Sequence, residues 1–264
     1  MCLIAFAYHV HPACPLVLIA NRDEFHGRPT APLGPWQDHP DILGGRDLQA
    51  GGGWLAIDRR RPRLAAVTNF REATPPQPAR SRGELVRGFL AGDDLAVAFA
   101  ELRRVDGNDY GPFNLLLWDG DDLIVATNRP KPHWEAVQPG IYGLSNGRFE
   151  SPWPKTRQLV AALRQWLDSA AGRSALPDEA AGLEPLYTAL ADEHRPADRE
   201  LPDTGIGLER ERMLASAFIK LPGYGTRASQ IVMLGRDGRA LFAERRFGAD
   251  GALVGEARVV VGRG

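Results

Sequence analysis

Cys2 is the residue whose position offers the most chemistry. A small second residue is the usual signal for removal of the initiator methionine, which would leave a thiol and a free α-amine on one carbon. That amine has an intrinsic pKa of about 7.7–8.0, so it can serve as general base for its own side chain. A nucleophile activated by a terminal amine is an established form of covalent catalysis. Cys2 also fits a plainer role, as a small buried apolar residue that opens a strand. The tetrad Asn21-Arg22-Asp23-Glu24 adds weight to the first role. An arginine beside a thiol favours the thiolate, and a carboxylate holds an ammonium. The plainer role of the tetrad is a solvated hairpin end with an internal Arg–Asp pair.

Three further polar residues adjoin apolar runs. Asn69 follows Leu64–Thr68, Asn146 lies just beyond Ile141–Leu144, and Arg227 precedes Gln230–Leu234. A carboxamide N–H can donate to a developing oxyanion, and losing one such donor costs about 3–4 kcal/mol. Taken singly, each fits a turn equally well. Other features carry less. His9-Val10-His11 has a metal-like spacing but no third ligand nearby, and reads as a hairpin turn. Cys14-Pro15 is a dipeptide of a kind that ligates haem, without any Cys-x-x-Cys-His attachment. Gly51-Gly52-Gly53 precedes a strand and lacks Gly-Lys-Ser/Thr, so it is no phosphate loop. The six tryptophans, Trp54 among them, read as core or pocket wall.

The elements that must position these residues follow from periodicity. Leu3–Tyr8 and Pro15–Ala20 are short continuous apolar runs and read as buried strands joined by a turn at His9–Pro12. Hairpin geometry sets the end of the second strand beside the start of the first, which brings the tetrad within reach of Cys2. Arg28–Gly53, rich in Pro and Gly, reads as a long ordered loop. Trp54–Ile57 and Leu64–Thr68 form a second strand pair. Pro75–Pro78 is a stiff loop, after which Ser81 and Glu84 mark a capping box. Helices are predicted over Arg82–Leu90 and Asp94–Arg104. A hairpin joins Asn114–Trp118 to Leu123–Thr127 through an Asp-Gly-Asp-Asp turn. Pro154 opens the clearest helix, with Leu159, Val160, Leu163, Trp166 and Leu167 on one stripe. Shorter helices cover Leu183–Asp192 and Leu208–Phe218, and the strands Gln230–Leu234, Ala240–Phe247 and Leu253–Val261 close the chain. Strands first and last with helices between predict an α+β layered domain spanning 1–264.

Composition narrows the class. The 264 residues carry 32 Lys+Arg against 33 Asp+Glu, a net charge of −1, which excludes a general phosphate-backbone binder and a polybasic membrane-surface protein. Hydrophobic residues at 44% and charged residues at 25% are those of a globular protein with a sizeable core. Two cysteines exclude a disulfide framework and predict a reducing compartment. The apolar stretch Cys2–Ala20 is broken by His9, His11, Pro12 and Pro15, so no membrane span is expected. No Lys or Arg precedes that stretch and no small-residue cleavage site follows it, so it does not read as a signal peptide. A cytoplasmic location is the expectation.

In order along the chain stand Met1-Cys2, His11-Pro12 through Asn21-Arg22-Asp23-Glu24-Phe25, Arg28-Pro29-Thr30, Gly45-Arg46-Asp47-Leu48 and Asn69-Phe70-Arg71. There follow Ser81 to Val86, Pro112 to Leu116, Gly143-Leu144-Ser145-Asn146, Pro152 to Lys155 and Tyr224-Gly225-Thr226-Arg227. With these motifs the chain resembles the NRDE family, also called the transport and Golgi organisation protein two family. One departure is Gly53 and Ala56, where the family pattern leads one to expect Thr and Gly. The family in turn looks like the N-terminal nucleophile hydrolases, which implies a four-layer αββα sandwich. The catalytic pattern is similar to that of choloylglycine hydrolases and penicillin V acylases, with a leading Cys, an Arg and an Asp after the first hairpin, two Asn and a late Arg. Carried onto this chain, the resemblance implies catalytic roles for Cys2, Arg22, Asp23, Asn69, Asn146 and Arg227. Asn21, Glu24 and Trp54 are expected to contact substrate. Arg22 and Asp23 are adjacent where that group has Arg-x-x-Asp, so Asp23 and Glu24 are both candidates to meet the α-amine.

The expected function is therefore Cys-dependent hydrolysis of a non-peptide amide, with no cofactor or metal required and a small molecule as partner. The alternative the resemblance implies is a binding or trafficking protein for haem or an acyl lipid on the same scaffold, since a fold alone does not certify catalysis.

Overall fold

The computed structural model describes residues 2–75, 78–92, 109–173 and 180–262. Two antiparallel seven-stranded sheets with a few helices make this an α+β protein, as the order of elements predicts. The chain divides into two compact units, Met1–Gly27 with Pro139–Gly262, and Arg28–Gln138.

The first unit is built on the amino-terminal hairpin. Strand β1 (Cys2–Tyr8) pairs with β2 (Leu16–Phe25). The chain then leaves for the other unit and returns at β10 (Gly140–Leu144), which pairs with the free edge of β1. On the other side of β2 lie β12 (Tyr224–Leu234), β13 (Ala240–Phe247) and β14 (Leu253–Val261), with the short β11 (Lys220–Leu221) beside β12. Alternation sorts the side chains. Leu3, Ala5 and Ala7 of β1, Val17 and Ile19 of β2, Ile231 and Met233 of β12, and Leu241 and Ala243 of β13 join one core. Leu159, Leu163, Trp166 and Leu167 of the helix Pro154–Asp168 close over it, with Leu186, Tyr187 and Leu190 of the helix Glu184–Leu190. The apolar stripe read from the sequence is thus the face that this helix buries. Its close approach to β10 requires Gly143, where a Cβ would stand 2.2 Å from Thr156 Cγ2. Lys155, almost wholly buried, donates from Nζ to the carbonyl of Leu214 at 3.0 Å, just past the helix Leu208–Met213. A cation at that end complements the helix dipole.

The second unit is a meander in which β3 (Thr30–Pro35), β4 (Ile42–Asp47), β5 (Leu55–Asp58), β6 (Leu64–Asn69), β7 (Phe113–Trp118), β8 (Leu123–Thr127) and β9 (His133–Ala136) pair in chain order. The helix α1 (Gly83–Ala91) buries Leu85, Val86, Phe89 and Leu90. Ahead of it Ser81 Oγ accepts from Gly83 N, and the Glu84 carboxylate accepts from Ser81 N, which is the returning half of a capping box.

Several boundaries differ from the sequence reading. The stretch Arg28–Gly53 is not a loop throughout, since it carries β3 and β4. Its prolines hide a strand that sits at a sheet edge, where a missing N–H costs no ladder bond. Strand β2 runs through the whole tetrad, so Asn21, Arg22 and Asp23 are buried strand residues and not a solvated hairpin end. Arg227 lies inside β12 and not before it. The strands β9 and β11 carried no pattern long enough to read, and the helices after Leu183 and Leu208 are shorter than predicted. The helix predicted over Asp94–Arg104 and the centre of the Pro75–Pro78 loop lie outside the described residues. At Gly53 a Cβ would stand 2.7 Å from Trp36 Cζ2, so a Thr there would require that ring to move.

Candidate active site

The register of the first sheet assembles the site. Cys2 stands opposite Arg22, with the side chains of directly paired residues on one face. Arg22 and Glu24 share that face by alternation, and Arg22 Nη2 lies 3.6 Å from Glu24 Oε2. Glu24 also accepts from Phe25 N through Oε1 at 2.9 Å. Asp23 lies one step past the Cys2–Arg22 pair, toward the amino-terminal end of β1, and is buried. Its Oδ1 accepts from Thr226 Oγ1 at 2.7 Å, and that hydroxyl in turn accepts from Ile219 N at 2.9 Å.

Asn21 faces the helices. Its Nδ2 donates to the carbonyls of Leu190 and Ala217 at 2.7 and 2.8 Å, and Ser229 Oγ donates to its Oδ1 at 2.6 Å. The amide hydrogens of Asn21 thus tie β2 to the helix layer, on the face opposite Cys2.

Arg227 reaches the site through a β-bulge. The pairing of β12 with β2 slips between Thr226, opposite Asp23, and Ala228, opposite Arg22. Arg227 is the extra residue, and such a bulge re-aims a side chain. Its Nη1 donates to the carbonyls of Phe25 and His26 at 3.0 and 3.1 Å, at the end of β2. Burial and the neighbouring Arg22 charge lower its pKa, while Glu24 works the other way.

On the other side of Cys2, β10 ends at Leu144, paired with Ile4. Ser145 and Asn146 follow, both buried. Ser145 Oγ donates to the carbonyl of Cys2 at 3.1 Å and to Asn146 Oδ1 at 3.3 Å. Ser145 was missed in the sequence, although the motif Gly143-Leu144-Ser145-Asn146 exposed it. Hydroxyls at strand ends are too common to single out without the contact.

Cys2 itself is 5% exposed. Burial pushes its thiol up to about 11, and the charges of Asp23 and Glu24 act in the same direction. Arg22 and the amino-terminal charge oppose them. Cys2, Arg22, Asp23, Glu24, Asn146 and Arg227 thus belong to the first unit, while Asn69, at the end of β6, and the buried Trp54 belong to the second.

The family model described as Transport and Golgi organisation 2 matches residues 1–249. The chain belongs to that family. The Homo sapiens transport and Golgi organization protein 2 homolog is 35% identical over 264 residues, covering 93% of this chain and 92% of that protein. The Drosophila melanogaster transport and Golgi organization protein 2 is 27% identical, covering 92% of this chain and 91% of its own. Among solved structures, a Caenorhabditis elegans N-acylethanolamine-hydrolyzing acid amidase ortholog has a TM-score of 0.46 at 8% identity, covering 70% of this chain and 85% of that one. The family's motif residues gain physical content here. Asn21 and Thr226 build the frame, Arg22 and Arg227 bring positive charge to the Cys2 side, and Gly143 lets a helix close on the sheet.

The weaker motifs resolve into structure. His11 Nδ1 accepts from Ala13 N and Cys14 N at 3.1 and 2.9 Å, which staples the β1–β2 turn. Cys14 is fully buried in the core under the helices. Among the described residues there is no group of three His, Cys, Asp or Glu side chains arranged to hold a metal ion, and no helix long and apolar enough to cross a membrane.

Proposed function

We propose that the mature chain begins at Cys2 and hydrolyses a non-peptide amide through a Cys2 thioester. The observation that carries this reading is the register that sets Cys2 against Arg22, with Asp23 and Glu24 on one side and Asn146 on the other. Removal of Met1 turns the amide nitrogen of Cys2 into an amine on the same carbon as the thiol. That amine takes the thiol proton, and the thiolate attacks the substrate carbonyl. Asn146 donates to the oxyanion as it forms. Collapse expels the substrate's amine, which receives the proton from the α-ammonium. Water, deprotonated by the same α-amine, then cleaves the thioester and frees the acid. Arg22 favours the thiolate, Asp23 or Glu24 holds the ammonium, and Arg22 with Arg227 draws an anionic group on the substrate. Both cysteines are free, which fits the cytoplasm, where a nucleophilic thiol stays reduced.

The test is amine release from a panel of N-acyl amides with charged and neutral amine portions. Turnover that vanishes in Cys2→Ala is the expected result, and turnover that survives it excludes this mechanism. One observation favours a second reading, the high thiol pKa with Met1 in place. A chain that keeps Met1 holds an inert thiol, and it would then act as a carrier of haem or an acyl lipid. That reading predicts a Soret shift on haem titration at micromolar protein, and no shift counts against it.

A further inference from the structure

We infer that β14 is an interaction edge whose partner is a second copy of this chain, joined by antiparallel pairing of β14 with β14 about a two-fold axis at Ala257. The inference is independent of the reading of Cys2 as the nucleophile. Strand β14 ends the path β10-β1-β2-β12-β13-β14, and among the described residues no strand pairs with its outer edge. Such an edge presents a row of N–H and C=O groups able to pair with another chain. Burial falls away across the last two strands. Leu241 and Ala243 of β13 belong to the core under the helices, yet Val260 and Arg258, directly opposite them, are exposed. Val254 is 60% and Val260 53% exposed. The strand contains no proline, and beyond the slip beside Val254 its run from Gly255 to Val261 is regular.

The order of the side chains decides what this edge accepts. Glu256 and Arg258 are two apart in the regular run, so they share a face. Two copies of one strand that meet edge to edge and antiparallel are related by a two-fold axis, and the contact is self-complementary. Centred on Ala257, the pairing sets Glu256 of each copy opposite Arg258 of the other, which makes two opposite-charge pairs in one register. The same register brings the exposed Val260 opposite Val254 at both ends. Centred on Glu256, it would set Glu against Glu, and centred on Arg258, Arg against Arg. Like charges directly opposite destabilise a strand pair, so the charges that refuse those registers admit this one. Within one copy Arg245 already donates to both Glu256 and Glu184. Pairing therefore extends an existing ion network across the two-fold axis to Arg258 of the second copy.

The contact is one strand wide, at the small end of protein interfaces, so the dimer should depend on concentration. Sedimentation velocity of the full chain from about 1 to about 200 micromolar reads that dependence. A monomer–dimer equilibrium is expected. Glu256→Arg and Arg258→Glu should each weaken it by about tenfold or more, since either change sets like charges opposite one another at both positions. Mixing the two variants should restore association, because the mixed dimer regains both opposite-charge pairs, and that recovery also shows that each variant is folded. A chain that is monomeric at every concentration, whose edge could then serve only a different partner, overturns the inference. So does self-association of the single variants as tight as that of the unaltered chain, or a mixture that associates no better than its components.

Discussion

At the scale of single residues, opposing influences meet at one sulfur. Burial raises the Cys2 thiol, Asp23 and Glu24 add to that, and Arg22 opposes it. Glu24→Gln removes a raising charge, so the pH midpoint of Cys2 alkylation by iodoacetamide should move down. Arg22→Gln removes a lowering charge and should move it up. Shifts of the opposite sign would contradict the electrostatic picture. Asn146→Ala should slow acylation of Cys2 by about 10²–10³-fold with little change in alkylation, as expected for loss of an oxyanion donor. The residues brought together around Cys2 were largely legible in the sequence. Cys2, the tetrad, Asn146 and Arg227 stood out by type and position. What was not legible is direction. Adjacent strand residues face opposite sides, so Asn21 bonds toward the helices while Arg22 lies on the face of Cys2.

At the scale of elements, two devices shape the site. One is the bulge in β12, which takes Arg227 out of the regular alternation. No local pattern marks a bulge, because it depends on pairing with a strand 200 residues away in sequence. The other is Gly143, where β10 meets the helix Pro154–Asp168. A Cβ at Gly143 would meet the methyl of Thr156, so Gly143→Ala should cost about 1–3 kcal/mol of stability. Combining it with Thr156→Ser should recover part of that loss, and chemical denaturation of the four chains of the cycle measures the coupling. Additive effects would show that the contact is not what constrains position 143. Continuous apolar runs and the stripe of Leu159, Leu163, Trp166 and Leu167 were readable because burial imposes a period. The strands β3 and β4 were not, since Pro and Gly at an edge and at a close strand contact look like a loop.

At the scale of the whole molecule, the first unit is discontinuous in sequence, and the residues next to Cys2 come from the amino-terminal hairpin and from the middle of the chain. That non-local assembly is what composition and periodicity cannot express. It also has a consequence for stability. Burial holds the thiol of Cys14 at about 12, against about 9 for an exposed thiol. The folded chain therefore keeps a proton that the unfolded chain gives up. That contribution to stability is full below pH 9 and is lost as the pH rises toward 12, by up to about 1.4 kcal/mol per pH unit. Cys14→Ala should make that alkaline loss shallower in denaturant titrations from pH 8 to 11, and an unchanged slope would contradict it. The proposed hydrolysis requires that Cys2 carry its thiol and a free amine on one carbon. The intact mass of the protein, expressed from its own start codon without an amino-terminal tag, tests it most directly. A chain lighter by one methionine, with Cys2 as its first residue, is the predicted result; a chain that retains Met1 would contradict it.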